Sequence, residues 1–117
     1  MTSKKRIIGN YGEDLAVKYL KDNSYRILDR NYSKPYGEID IICLKGNVLS
    51  FVEVKTRKND LFASASEAVD YYKQKRIIRA AKAYIMEKNL GDYFISFDVC
   101  EVYRDTGKIN YIENAFG

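Results

Sequence analysis

The stretch GEIDIICLKGNVLSFVEVKTR, residues 37–57, decides the fold of this chain. Gly46-Asn47 is a two-residue hairpin signal between two strand-like runs, with glycine supplying the positive φ of a tight turn. With those two residues as the loop, Leu44 faces Leu49, Ile42 faces Phe51, Asp40 faces Glu53 and Glu38 faces Lys55. Side chains alternate across a strand, so Glu38, Asp40, Glu53 and Lys55 are expected on one face, at the end of the hairpin remote from its turn. Ile39, Ile41, Val52 and Val54 are expected on the other. Both faces are apolar near the turn, which predicts central strands covered on each side. A one-residue slip would send one strand's charges to the opposite face, so the Gly-Asn turn is part of any functional reading.

Outward from the hairpin, Tyr25 to Tyr32 reads as a preceding strand. Residues from about Tyr11 to Lys21 read as a helix with Leu15, Ala16, Tyr19 and Leu20 at helical spacing. Asn10 followed by Glu13 fits a capping box, yet Glu13 also lies on the stripe with Ala16, Val17 and Leu20 that faces the sheet, and the two readings stay open. Beyond the hairpin, Ser64-Ala65-Ser66-Glu67 is a second capping-box pattern, leading into a long helix to about Lys88. Val69, Tyr72, Ile77, Ile78, Ala81, Tyr84 and Ile85 form its apolar side, and Lys75, Arg79 and Lys82 line another. Gly91 is expected to end it. Tyr93 to Tyr103 then reads as a strand and Ile109 to Ile112 as a short edge strand after an Asp105-Thr106-Gly107 turn. The expected architecture is α/β, a mixed sheet with one helix on each face in the order α-β-β-β-α-β-β, forming a single domain over residues 1–117.

Composition narrows the chemistry. The chain is 46% hydrophobic and 31% charged, ordinary for a globular protein. It has no apolar run of membrane-spanning length and no signal-peptide core, so a cytoplasmic protein with no membrane partner is expected. Cys43 and Cys100 lack metal-binding spacing and read as buried thiols. Histidine is absent. That removes His-ligated zinc and Ser-His or Cys-His catalysis, and leaves carboxylates, lysine and a hard, oxygen-loving cation. The net charge of +4 is modest, but basic residues cluster at Lys4-Lys5-Arg6, at Lys55-Thr56-Arg57-Lys58 and at Lys73, Lys75, Arg76, Arg79 and Lys82, among tyrosines. Such clusters suit phosphate contacts, and a solvated helix face accounts for them equally well.

Acids and a lysine inside a β-branched run cost several kcal/mol unless paired or bound to a metal. Asp40 and Glu53 facing each other would hold Mg²⁺ or Mn²⁺, with the Val54 carbonyl as a third ligand. Lys55, on the same side, would orient or help deprotonate a water attacking a phosphodiester, and Glu38 would hold that lysine in place. A buried ion-pair network without chemistry is the competing reading.

Asp40 followed after a hairpin by Glu53-Val54-Lys55 resembles the PD-(D/E)xK motif of the restriction-endonuclease-like fold. More narrowly, Gly12-Glu13, Gly37-Glu38-Ile39-Asp40, Phe51-Val52-Glu53-Val54-Lys55-Thr56-Arg57 and Lys73-Gln74-Lys75-Arg76 resemble the YraN-like family of uncharacterised bacterial proteins, over nearly the whole chain. Ile39 stands where the motif has proline. The resemblance implies a restriction-endonuclease-like three-layer fold and a metal-dependent endonuclease acting on DNA, including branched DNA, as in the archaeal Holliday junction resolvases. It implies metal binding and catalysis by Asp40 and Glu53, metal binding by Glu13 as the N-terminal helix glutamate, Lys55 as the catalytic lysine, Gln74 near the site, and a homodimer. Arg57, Lys58, Lys75, Arg76 and Arg79 would meet phosphates. The reading from another class is a nucleic-acid-binding module that keeps the scaffold without turnover. Phosphate contacts carry little base information, so DNA and RNA are not separated by sequence.

Overall fold

A computed structural model describes residues 4–59 and 69–117; for residues 4–9 it describes the backbone path only. The element order is α1 (Lys4–Asp22), β1 (Arg26–Lys34), β2 (Gly37–Lys45), β3 (Val48–Arg57), α2 (Tyr71–Lys88), β4 (Phe94–Tyr103) and β5 (Lys108–Phe116). The strands form one five-stranded sheet in the order β1-β2-β3-β4-β5, antiparallel except for the parallel β3–β4 pair that α2 connects. This is the expected three-layer arrangement. Ala16, Val17 and Leu20 of α1 pack on Ile41, Cys43, Val52, Cys100 and Val102. On the opposite face, Ile77, Ala80, Ala81 and Tyr84 of α2 pack on Ile42, Leu49, Phe51 and Val99. Both cysteines are buried free thiols, whose pKa burial pushes up to about 12.

The hairpin has the expected register. Lys45 pairs with Val48, Leu44 with Leu49, Ile42 with Phe51 and Ile41 with Val52, around Gly46 at φ 60°. One feature departs from simple alternation. Ile39 packs in the α2-side cluster although Ile41, two residues on, packs on the α1 side. The strand therefore turns its faces over at Asp40. Its neighbour β1 does the same at Asn31, whose φ of 53° carries the chain from Arg30, paired with Ile41, to Tyr32, paired with Ile39. Asparagine is among the few residues that accept the left-handed region at small cost.

Several element ends differ from expectation. α1 begins at Lys4, so Asn10 lies inside it; its position has no unpaired first-turn N–H groups to cap, and Glu13 is not a capping residue. The expected cap at Ser64–Glu67 falls outside the described residues, and α2 as described starts at Tyr71 with Asp70 as N-cap, Oδ1 accepting from Lys73 N at 2.8 Å. Asn89, at φ 55°, ends α2 in place of Gly91, its N–H turned back toward the Ile85 and Met86 carbonyls. β5 is longer than the short edge strand expected, accommodated by a bulge opposite Phe97 and Val99 near Asn114, at φ 49°.

Two glycines set how closely the helices approach. A Cβ on Gly12 would lie 2.0 Å from Thr56 Oγ1, and one on Gly37 would lie 2.5 Å from the Arg76 carbonyl oxygen. Thr56 can rotate its hydroxyl away, whereas the α2 backbone at Arg76 cannot yield without moving the helix. We expect Gly37→Ala to destabilise the protein by about 2–3 kcal/mol and Gly12→Ala by less, about 1–2 kcal/mol. Thr56→Ala should recover part of the Gly12→Ala loss and none of the Gly37→Ala loss, read by urea unfolding of single and double variants.

Candidate active site

The site begins where the hairpin ladder ends. Register between β2 and β3 runs from the turn to Ile41↔Val52. At the next position the Val54 N–H donates to Asp40 Oδ2 at 2.8 Å. A side-chain carboxylate thus takes a hydrogen bond that a strand carbonyl would otherwise accept, which fixes the carboxyl between the two strands. Val54, expected to contribute its carbonyl, contributes this N–H. Glu53 is 5% exposed. Its Oε1 lies 2.5 Å from Lys73 Nζ and 3.9 Å from Lys55 Nζ. Asp40, Glu53, Lys73, Arg76, Ile77 and Tyr36 are among the residues that line one cleft of about 390 Å³ between α2 and the β1–β2 connection.

The electrostatics follow from crowding half-buried charges of both signs. Burial, then the charge of Glu53, pushes the Asp40 carboxyl up to about 7 against the pull of the Val54 N–H. Burial, then the charge of Lys73, holds the Lys55 ammonium below the usual lysine range. Burial also acts against charge on Lys73, but the hydrogen bond and charge of Glu53 outweigh it and raise its pKa. Lys55 is thereby the more acidic of two neighbouring ammonium groups.

Glu13 reaches the edge of this constellation from α1. Its charge acts on Asp40, and its own pKa is raised by burial in spite of Arg30, whose Nη2 stands 3.8 Å away. Glu13 Oε1 is buried without a hydrogen-bond partner. No three or more acidic or sulfur side chains converge tightly enough to enclose a metal among the described residues, so Glu13 stands apart from the Asp40–Glu53 pair. Glu38 is exposed and does not hold Lys55; its charge acts on Glu13. The strand's turnover at Asp40 is the reason, because it takes Glu38 off the face that carries Lys55. Gln74 donates to the Val69 carbonyl at 3.0 Å, which ties down the entry to α2.

Of the basic residues, Arg76 borders the cleft, and Arg79 stacks its guanidinium 4.3 Å over the Tyr36 ring beside it. Lys75 lies 4.9 Å over the exposed Tyr71 ring, and Lys58 is exposed just past β3. Arg57 differs: its Nε donates to Glu101 Oε2 at 3.3 Å, and Glu101 is 1% exposed, so this guanidinium is committed to a buried carboxylate. Lys73 was not among the expected site residues. The signal for it is positional: it sits at the third residue after the Asp70 cap and one turn before Ile77, on the helix face that meets the sheet.

A family model described as "Uncharacterised protein family UPF0102" matches residues 12–102, which include every element that builds this site. The UPF0102 protein of Clostridium perfringens is 45% identical, over 99% of this chain and 98% of its own length. That of Clostridium tetani is 44% identical over the same shares, and that of Alkaliphilus oremlandii is 49% identical over 93% of this chain and 97% of its own.

The raised Asp40 pKa sets a pH dependence for the metal-free protein. Between the unfolded value of 3.8 and the folded value of about 7, the unfolded chain releases a proton that the folded chain keeps. Stability is therefore full below pH 4 and falls as pH rises toward 7. Asp40→Asn keeps an acceptor for Val54 and removes the titration. In EDTA its melting temperature should match wild type near pH 4 and exceed it at pH 8, by an amount equivalent to about 1–4 kcal/mol.

Proposed function

We propose that this chain, which belongs to the uncharacterised protein family UPF0102, is a metal-dependent nuclease that hydrolyses phosphodiester bonds in DNA, branched DNA included. The observation that carries the reading is that Asp40 and Glu53 line one cleft, with Lys73 and Lys55 both within ion-pair range of Glu53. The donor set fits Mg²⁺ or Mn²⁺: two carboxylates on a polar cleft with room for the waters such an ion retains. Asp40 and Glu53 would hold the ion, with Glu13 contributing charge from α1. The chemistry such an ion would supply there is activation of a water for attack and neutralisation of charge on phosphate oxygen.

The chain's own residues do the rest. Lys55 orients the attacking water through its Nζ and offsets negative charge building beside it. Arg76 at the cleft wall receives the non-bridging phosphate oxygens, and Lys58, Lys75 and Arg79 are exposed to contact flanking phosphates. Arg57 supports the β3–β4 pair through Glu101 and is not required to leave it. Two symmetric cuts in a branched substrate would suit a two-fold pair of chains. Among the described residues no helix is long and apolar enough to cross a membrane.

The test is incubation with labelled duplex, single-stranded and four-way-junction DNA, in Mn²⁺ or in EDTA. Wild type should cleave at least one substrate in an EDTA-sensitive way. Asp40→Asn and Glu53→Gln should each lose about 10³-fold or more in rate, and Lys55→Met about 10²-fold. No cleavage by wild type, or undiminished cleavage by Asp40→Asn, rejects the nuclease reading. Salt-sensitive binding without turnover would establish the binding-module alternative in its place.

A further inference from the structure

We propose that Lys73 is a resident stand-in for the divalent cation: its ammonium occupies Glu53 in the metal-free protein, must leave when the ion arrives, and then serves as a phosphate contact. This rests on the metal-dependent reading above. The argument starts from one oxygen. Lys73 Nζ lies 2.5 Å from Glu53 Oε1. Mg²⁺ binds carboxylate oxygen at about 2.0–2.1 Å, so an ion on Oε1 would need the place that the ammonium holds, and one on Oε2 would stand against it across the same carboxylate, with strong repulsion in either case. One of them has to move.

Lys73 is built to be the one that moves. Its backbone is fixed by the Asp70 cap, while its side chain is 36% exposed on a flexible four-carbon stem. It lines the same cleft as Arg76, one turn further along α2. A displaced ammonium therefore has phosphate-binding space within reach. Lys55, at 3.9 Å, is a looser ion pair with the same oxygen and leaves more room beside it. The consequence is linkage: a phosphate backbone that draws Lys73 off Glu53 raises metal affinity, and bound metal frees Lys73 for phosphate. The arrangement holds the nearly buried Glu53 paired in the absence of metal and makes ion binding favour the state in which nucleic acid is present.

Calorimetric titration with Mn²⁺ alone tests this, on wild type, Lys73→Met, Lys73→Arg and Asp40→Asn. The expected result is about tenfold tighter Mn²⁺ binding by Lys73→Met than by wild type, with Lys73→Arg close to wild type and Asp40→Asn binding weakest. A second readout is thermal melting. Lys73→Met should melt lower than wild type in EDTA, and the gap should close in Mn²⁺ as the ion replaces the lost counter-charge. Unchanged or weaker Mn²⁺ binding by Lys73→Met, with binding still dependent on Asp40, overturns the role of Lys73 and leaves the metal reading standing. A melting gap that persists in Mn²⁺ overturns it too. Absence of Mn²⁺ binding in wild type and Lys73→Met alike overturns the metal reading and this inference together.

Discussion

The hydrogen bond from Val54 N–H to Asp40 Oδ2 is the interaction on which the rest of the arrangement depends. Antiparallel strands normally satisfy each other's backbone groups in a continuous ladder. Here the paired register between β2 and β3 reaches Ile41↔Val52, and a carboxylate takes over the next bond. The substitution has two effects at once. It ends the β2–β3 ladder beside the room between α2 and the β1–β2 connection, and it anchors a charged group on the wall of that cleft without consuming its second oxygen. The adjacent turnover of the strand, visible as Ile39 and Ile41 packing on opposite layers, gives the room its shape.

Close helix approach then supplies the remaining groups. At Gly37 the start of β2 lies against the α2 backbone at Arg76, and at Gly12 α1 lies against Thr56 of β3. Each contact lies beside a charged group of the site: Glu13 follows Gly12, and the backbone that meets Gly37 is that of Arg76, one turn beyond Lys73. The fold thus brings its two helices in from opposite layers to the sheet position where the ladder has stopped. Side chains from α1, β2, β3 and α2 share an electrostatic neighbourhood only because these two positions carry no Cβ.

Much of this was legible in the sequence because hairpin register is a local matter. Gly46-Asn47 and the alternation on either side determine which residues face each other, and Asp40, Glu53 and Lys55 follow from counting along the strand. Glu38 was misplaced by the same counting. Alternation assumes an undisturbed pleat, and the irregularity that begins at Asn31 on a neighbouring strand breaks it. Lys73 was hidden for a different reason. Its role depends on where α2 begins, which Asp70 settles, and on how α2 lies on the sheet, which is tertiary packing. Periodicity assigned Lys73 to a basic cluster and could not say which basic residue turns inward. The αL cap at Asn89 was missed because Gly91 was taken as the stronger signal for a positive φ, and the bulge at Asn114 inside β5 has no glycine to announce it.

The same sheet carries three buried carboxylates and the partly buried Asp40, and their partners separate architecture from candidate chemistry. Asp98, fully buried, accepts from the Ser96 and Tyr111 hydroxyls and from Asn114 N, groups fixed in place by the β4–β5 bulge. Burial and that same carboxylate push the Tyr111 pKa up, so its donor proton stays in place. Glu101 is held by Arg57, Asn110 and Tyr103, again from neighbouring strand positions. Both are surrounded by rigid donors; Asp98 borders a cavity of about 440 Å³, but its partners Ser96 and Asn114 belong to the same wall. Asp40 and Glu53 instead have one backbone N–H and the ends of flexible lysines, on the wall of a solvent-filled cleft. A purely structural carboxylate gains from fixed donors, since leaving it unpaired costs several kcal/mol. Carboxylates whose counter-charges can withdraw are suited to exchange one cation for another. That difference in the mobility of their partners, more than burial or acidity, is what singles out the Asp40–Glu53 pair as the site of the chemistry proposed above.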